Sequence, residues 1–117
     1  MKRIHPILIA ACVALGCSAT GARAQPDGAR LALGAKVFAA NCKSCHDSGL
    51  KDNDAPQLFH TEDWKNRARS GRDVLYKNSI EGVSGYFLMP ARGDNPKLTD
   101  DEVKAAVDYI LERVGVR

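Results

Sequence analysis

Two thiols and an imidazole stand close together in the run NCKSCH, as Cys42, Cys45 and His46. Side chains of these types bind metals and react with electrophiles. Their spacing suits four kinds of chemistry: a thioredoxin-like redox pair, a zinc site, a structural disulfide or the covalent attachment of haem. In the last, each thiol adds to a vinyl group of the porphyrin and the adjacent imidazole ligates the iron. Only the haem interpretation uses all three residues, and the motif therefore favours it.

The surrounding sequence weighs against the other three interpretations. A redox pair of this spacing follows a strand in a βαβ unit, whereas residues 29–41 have a helical pattern and no run of alternating β-branched residues occurs in the chain. A structural zinc site takes four ligands, and only His46 and His60 lie near the two thiols in sequence. A disulfide across so short a loop would stabilise the domain little.

The second axial ligand of the iron decides what such a haem does. Met89 is the only methionine after the initiator, and it lies in the run GYFLMPARG. Pro90 stiffens this segment directly after the methionine, and Gly85 and Gly93 free the backbone on either side. We therefore expect the Met89 sulfur to reach the iron on the face opposite His46.

Two alternatives to this ligand remain open. Most methionines fill gaps in an apolar core, and a core Met89 would leave one face of the iron open. His60 lies between Phe59 and the start of a predicted helix, where it is either a solvent-facing turn residue or the second ligand of a bis-histidine iron. A His/Met pair closes both faces and raises the potential, which suits electron transfer rather than oxygen or peroxide chemistry.

The first 24 residues have the pattern of an export signal. A basic opening over 1–5 precedes the apolar run 6–15, and small residues lead to an A-x-A site at Ala22-Arg23-Ala24. This order predicts a secretory signal peptide over residues 1–24. The apolar run is about half the roughly 20 residues that span a bilayer. We therefore expect a mature domain of residues 25–117, exported to the periplasm.

A lipid anchor is the alternative fate of this segment. The run ALGC that ends at Cys17 resembles a bacterial lipoprotein box, although the usual leucine three places before the cysteine is Ala14. Lipidation at Cys17 would attach the exported protein to a membrane. Otherwise we expect contact with membranes only through partner proteins.

Charge gives no reason to expect a nucleic-acid partner. The 117-residue chain has 17 basic and 14 acidic residues, a formal net charge of +3. Three of the basic residues lie in the export segment, which leaves 14 of each sign in residues 25–117. The mature domain is therefore neutral, and its charge gives no support to binding of nucleic acid.

Helical patterns flank the candidate ligands. Asp27 is placed to cap a helix from Gly28 to Asn41, and Thr61 begins a shorter helix that carries Trp64. A further helical piece ends near Gly82. The run TDDE from Thr99 forms a capping box with acidic residues at the positive end of a last helix. Apolar residues then follow at amphipathic spacing: Val103, Ala106, Val107, Ile110, Leu111 and Val114.

Taken in order, these residues resemble a class I c-type cytochrome. The resemblance covers residues 29–114 and rests on Gly34, Phe38, the CKSCH run, Pro56-Gln57-Leu58, Met89-Pro90 and Tyr109. A second set is similar to the bacterial cytochrome c-five branch: Trp64-x-x-Arg67, Gly71, Gly82, the MPARG run and the LTDDE run before the last helix. The chain departs from that branch at Ala91, where members repeat proline, and it lacks their extra cysteine pair.

The resemblance implies a fold and several residue roles. It implies a small all-α domain, the class I cytochrome c fold, in which three to five short helices wrap around one haem c attached through Cys42 and Cys45. The Pro56 carbonyl would accept a hydrogen bond from His46. Trp64 and Arg67 would lie near the haem propionates. Gly34 and Phe38 would pack against Tyr109 where the first and last helices cross.

The expected function is single-electron transfer with no catalysis. The iron would cycle between Fe(II) and Fe(III) and exchange electrons with respiratory oxidases, reductases or dehydrogenases that bind a monomeric protein transiently. Lys43, Lys51 and Arg92 flank the expected haem edge and could attract acidic partners. Two alternatives stay open: a peroxidase or gas sensor with an open sixth site, and a subunit held permanently in a larger oxidoreductase, which a broad exposed apolar patch would favour.

Overall fold

The computed structural model describes residues 25–49 and 54–117. These parts form α1 (Gly28–Asn41), α2 (Lys43–His46), α3 (Thr61–Ala68), α4 (Arg72–Glu81) and α5 (Asp100–Arg113), with a 3-10 turn at Ala91–Asp94. The all-α expectation is confirmed. No helix in the described parts is both long and apolar enough to cross a membrane. The predicted signal peptide over 1–24, Cys17 included, and Lys51 lie outside the described residues.

Both long helices begin at the residues that the sequence predicts. The Asp27 carboxylate accepts a hydrogen bond from the Arg30 backbone N–H at 2.7 Å. At α5, the Thr99 hydroxyl accepts from the Glu102 N–H at 3.2 Å, while the Glu102 carboxylate accepts from the Thr99 N–H at 2.8 Å. These bonds satisfy N–H groups that have no partner inside the helix, which explains why the two helices begin there.

Helices α1 and α5 cross in close contact, and a glycine makes the approach possible. A Cβ on Gly34 would lie 2.0 Å from the Ala105 carbonyl oxygen and 2.9 Å from the Tyr109 Cβ. One turn along, the rings of Phe38 and Tyr109 are 5.5 Å apart at a 47° tilt. The packing expected of Gly34, Phe38 and Tyr109 is therefore confirmed.

The apolar core has two parts that share α5. The larger joins α1, α3 and α5 through Val37, Phe38, Trp64, Ala106, Ile110 and Val114. The smaller joins α4 to α5 through Leu75, Val107 and Leu111. Few of these side chains are large, and the space between α1, α4 and α5 is only partly filled by them. What the core leaves open is the cavity described below.

A buried carboxylate ties three helices together on the side away from that cavity. Asp108 of α5 is 2% exposed. It accepts hydrogen bonds of 2.5 Å from Arg30 of α1 and from Arg72 and Tyr76 of α4. Because both arginines and the phenol donate to it, the charge of Asp108 is paired as well as desolvated.

Candidate haem site

One large cavity brings the predicted ligands together. It has a volume of about 1030 Å³ and lies between the end of α1, α2, the segment 54–56, α4, the segment 83–94 and α5. The candidate site residues among those that line it are Cys42, Cys45, His46, Pro56, Trp64, Arg67 and Met89. Residues nearly fifty positions apart in sequence thus face one space.

Cys42 is the N-cap residue of the short helix α2, and Cys45 lies within that helix. Cys42 follows α1 directly and is partly buried, whereas Cys45 is exposed. They are not joined in a disulfide. Burial, and to a lesser degree the neighbouring Cys45, raises the pKa of the Cys42 thiol to about 11. A redox-active cysteine has a lowered pKa, so the protonated Cys42 argues against the thioredoxin-like interpretation.

One ring nitrogen of His46 is hydrogen-bonded within the protein. Its side chain is 7% exposed, and its Nδ1 lies 3.0 Å from the Pro56 carbonyl oxygen. A carbonyl can only accept, so Nδ1 carries the proton and Nε2 keeps its lone pair. Burial lowers the pKa of His46 against the opposing effect of the Pro56 bond. The imidazole is therefore neutral at pH 7, the form that ligates a metal.

Residues 55–58 lie against α2 through their backbone. The Leu58 N–H donates to the His46 carbonyl at 2.8 Å, which places Pro56 beside the imidazole. Trp64 contributes from α3: its ring centroid is 5.7 Å from that of His46, and its indole N–H donates to the Gln57 carbonyl at 3.0 Å. That N–H is thus bonded within the protein, and the Trp64 ring lines the cavity beside His46.

Met89 lies at the end of a short hairpin that a single backbone pair closes within an otherwise irregular segment. Its backbone forms an antiparallel bridge with Val83, with N–H to carbonyl distances of 2.9 and 2.8 Å. Gly82 starts the hairpin at φ +82°, and a Cβ there would lie 2.8 Å from the Met89 carbonyl oxygen and 2.9 Å from the Ala91 nitrogen. Only glycine has both this conformation and this clearance.

A second close contact ties the methionine segment to α1. A Cβ on Gly93 would lie 2.7 Å from the Asn41 carbonyl oxygen. The Asn95 amide donates to the Asn41 side-chain oxygen at 2.9 Å. Asn41 directly precedes Cys42 in the chain, so these contacts fix Met89 relative to the cysteine motif.

The other candidates divide into one that faces the cavity and one that does not. Arg67 lines the cavity and remains exposed at the surface, where its guanidinium could meet an anionic group. His60 is exposed, lies 3.7 Å from the Asp63 carboxylate and is not among the cavity residues. The bis-histidine alternative is therefore not supported by the geometry.

These residues fit a haem better than a metal ion alone. Protein interiors are close-packed, with few voids larger than a water molecule, and ligand pockets run to about 300–1,000 Å³; this cavity is at the upper end and suits a large planar group. The described residues contain no cluster of three His, Cys, Asp or Glu side chains that could hold a bare ion. His46 and Met89 would be the axial ligands, and Cys42 and Cys45 the points of attachment.

Sequence reasoning gave no role to the Gln57 side chain. Gln57 is 2% exposed and bonds through its amide to the backbone of Cys45, Ala55 and Ser48. A glutamine between Pro56 and Leu58 carries no local signal of this role. Its partners come together only when the segment after the loop returns to α2.

Comparison with known proteins identifies the class to which such a site belongs. The model of the family described as "Cytochrome C oxidase, cbb3-type, subunit III" matches residues 29–110. The chain is 37% identical over 89 residues to cytochrome c-555 of Prosthecochloris aestuarii, an alignment that covers 72% of this chain and 88% of that one.

Two further relatives extend the similarity. Cytochrome c5 of Azotobacter vinelandii is 37% identical over 76 residues, covering 63% of this chain and 86% of the relative. Cytochrome c6 of Gloeothece citriformis is 27% identical over 113 residues, covering 97% and 96%. The relatives thus carry three different names within one group of c-type proteins.

Proposed function

The chain belongs to the class I c-type cytochromes, which carry single electrons on one haem, and we propose that His46 and Met89 are the two axial ligands of that haem. The observation that supports this most directly is the shared cavity. The cysteine motif, the buried imidazole of His46 and the methionine Met89 all line it. A closed His/Met iron has no coordination site for a substrate, in keeping with an electron carrier rather than an enzyme.

Each residue has a distinct task in this proposal. The bound haem supplies one reversible electron, between Fe(II) and Fe(III). Cys42 and Cys45 hold it covalently, and the Pro56 carbonyl keeps the proton on Nδ1 of His46 and increases the basicity of the ring. The hairpin of Val83 and Met89 would hold the thioether in place as the second ligand of the iron. Trp64 packs beside His46 and excludes water from that side of the site.

Partners would dock on an apolar surface at the mouth of the cavity. Tyr86, Phe87 and Leu88 line this mouth and are 91%, 54% and 82% exposed. Cys45, the exposed attachment point, lines the same cavity. Electrons would therefore pass where apolar side chains meet the haem edge, to a partner with an apolar, weakly charged patch over its own redox centre.

Charge contributes little to this docking. The mature domain would be neutral, which removes long-range steering. Arg92, one of three cations expected to attract acidic partners, donates to the Leu98 carbonyl at 2.9 Å and to the Asp100 carboxylate at 2.6 Å. It is therefore engaged within the protein. We expect weak, rapid binding to respiratory oxidases, reductases or dehydrogenases across a small patch.

The haem content and the electron count test this function together. Purified protein from an export-competent host should contain one haem per chain, retained on acid extraction, and should titrate reversibly with one electron. The Cys42→Ser, Cys45→Ser double variant is the matched control and should lose haem on extraction. Haem that is extractable from the wild-type protein, or a titration with more than one electron, would contradict the proposal.

We further propose that residues 1–24 are a cleaved signal peptide and that 25–117 form the mature cytochrome domain in the periplasm. The first described residues, 25–27, lie outside α1, so cleavage before Gln25 would leave the helix cap intact. The mass of the exported protein decides this: a chain that begins at Gln25 supports it. A lipidated chain that begins at Cys17 would place the protein on a membrane instead.

The exposed apolar surface also favours a second candidate, a subunit held in a larger oxidoreductase. Tyr86, Phe87 and Leu88 are adjacent in sequence and all apolar or aromatic, and the matching family is described by the name of an oxidase subunit. Gel filtration of mildly solubilised membranes separates the two. Haem that elutes at the mass of the monomer supports the shuttle, and haem that elutes only with a large complex supports the subunit.

A further inference from the structure

Gln57 joins the two ends of the loop that precedes it. Its Nε2 donates to the Cys45 carbonyl at 2.6 Å and to the Ala55 carbonyl at 2.9 Å. Its Oε1 accepts from the Ser48 N–H at 3.1 Å and from the Ser48 hydroxyl at 3.3 Å. With the side chain 2% exposed, water does not compete for these bonds. The amide therefore fixes the distance between the end of α2 and the segment that follows the loop.

That distance determines where the Pro56 carbonyl lies. Pro56 has no N–H and cannot hold its own position by donating to the backbone of α2. The chain is held on either side instead: by the Ala55 carbonyl on the Gln57 amide, and by the Leu58 N–H on the His46 carbonyl at 2.8 Å. The Pro56 carbonyl projects between these two contacts, 3.0 Å from His46 Nδ1.

The chemistry of this position is specific to an amide. Two backbone carbonyls require donors and the Ser48 N–H requires an acceptor, and a primary amide supplies both from one planar group. A leucine of similar size would offer no hydrogen bond to any of these three backbone groups. A protonated glutamic acid could serve one carbonyl and the N–H, whereas an ionised one would turn acceptors toward both carbonyls.

We propose that Gln57 is a positioning residue that holds the Pro56 carbonyl on His46 and so fixes the direction and the basicity of the axial imidazole. This inference rests on the proposed function, because it takes His46 as the iron ligand. Loss of the hydrogen bonds of the Gln57 amide would free residues 55–58 and weaken the hydrogen bond from His46 Nδ1–H to the Pro56 carbonyl. A less basic imidazole stabilises Fe(III) less, so the reduction potential would rise.

The experiment measures solvent exchange of the His46 Nδ1–H by NMR in ferrous, haem-loaded protein labelled with ¹⁵N-histidine, together with the reduction potential. In Gln57→Leu we expect exchange roughly tenfold faster, the factor that corresponds to one lost hydrogen bond, and a higher potential. Asp108→Asn is the control. It disturbs an equally buried polar group that does not line the cavity. It should therefore lower stability without changing the exchange rate or the reduction potential.

Exchange and potential in Gln57→Leu equal to those of Asp108→Asn would overturn the proposal, since Gln57 would then be no more than a stability residue. If Gln57→Leu fails to take up haem, Gln57→Glu is read across pH. A His46 Nδ1–H exchange rate that rises as the carboxyl introduced at position 57 ionises supports the positioning role of Gln57. An exchange rate with the same pH dependence as in the wild type contradicts it. Failure of the proposed function looks different: the wild-type protein itself would lack an iron-coordinated His46 resonance.

Discussion

Replacing Gly34 by alanine should separate the two long helices. The new Cβ would lie 2.0 Å from the Ala105 carbonyl oxygen and 2.6 Å from its carbon, where ordinary contact begins at 3.4 Å. Those atoms belong to the backbone of α5, so no side-chain rotation relieves the clash. The helices must move apart by about 1 Å, and a gap of that size forfeits a quarter to a half of each dispersion contact across it.

The cost follows from that displacement. Overpacking in a core costs about 1–3 kcal/mol, and a clash with backbone along the α1–α5 crossing belongs at the top of that range, about 3 kcal/mol. For a domain of this size each kcal/mol lowers Tm by about 4–8 °C. We therefore expect Gly34→Ala to lower the Tm of the haem-loaded protein by roughly 12–24 °C, read by far-UV circular dichroism.

A second glycine of the same helix provides the control. Gly28 lies at the start of α1, and a Cβ there would meet nothing within 4 Å. Gly28→Ala should leave Tm unchanged or raise it, because alanine reduces the entropy of the unfolded chain by about 0.4–1 kcal/mol. A Gly34→Ala protein that melts within a few degrees of the wild type would refute the close crossing of α1 and α5.

Three further predictions concern a cap, a buried phenol and the docking surface. Thr99→Ala removes the capping box and should cost about 1 kcal/mol in urea unfolding; an unchanged midpoint would show that the cap contributes nothing. Burial, then the Asp108 bond, raises the pKa of Tyr76 above 10.0, so its contribution to stability is complete below pH 10 and declines as pH rises through the folded pKa. In Tyr76→Phe, the free energy of unfolding from urea titrations should therefore fall less between pH 8 and pH 11 than it does in the wild type. An equal fall in both proteins would exclude Tyr76 as its source. Tyr86→Ser with Leu88→Ser should slow electron exchange with an oxidase about tenfold, or 1.4 kcal/mol, at low and high salt alike; a loss only at low salt would indicate charge instead.

The helices could be predicted from the sequence because their signals are local. Asp27 and Thr99 each bond to a backbone N–H three residues away, so a short stretch of sequence contains the whole interaction. The CKSCH motif is equally local, since three neighbouring residues carry its chemistry. The resemblance to c-type cytochromes then supplied the partners of His46 and the helix crossing, which spacing alone leaves open.

The missed features depend on contacts between distant segments. Val83 and Met89 pair only because Gly82 admits the returning backbone, and the sequence between them has no alternating pattern. Asp108 is paired with Arg30, 78 residues away. Before the fold is known, nothing near Asp108 in the sequence distinguishes this buried carboxylate from one exposed to solvent. Gln57 is of the same kind, since its partners lie on both sides of a loop.

The central claim, a haem closed by His46 and Met89, is tested most directly by visible spectroscopy of the wild-type protein and of Met89→Ala. The account predicts a c-type spectrum in both. The oxidised wild type should show the weak far-red band of a methionine–iron bond, and its reduced form should not bind carbon monoxide. Met89→Ala should lose the band and bind carbon monoxide. A wild-type protein that binds carbon monoxide rapidly, or a variant that keeps the far-red band, would contradict the account.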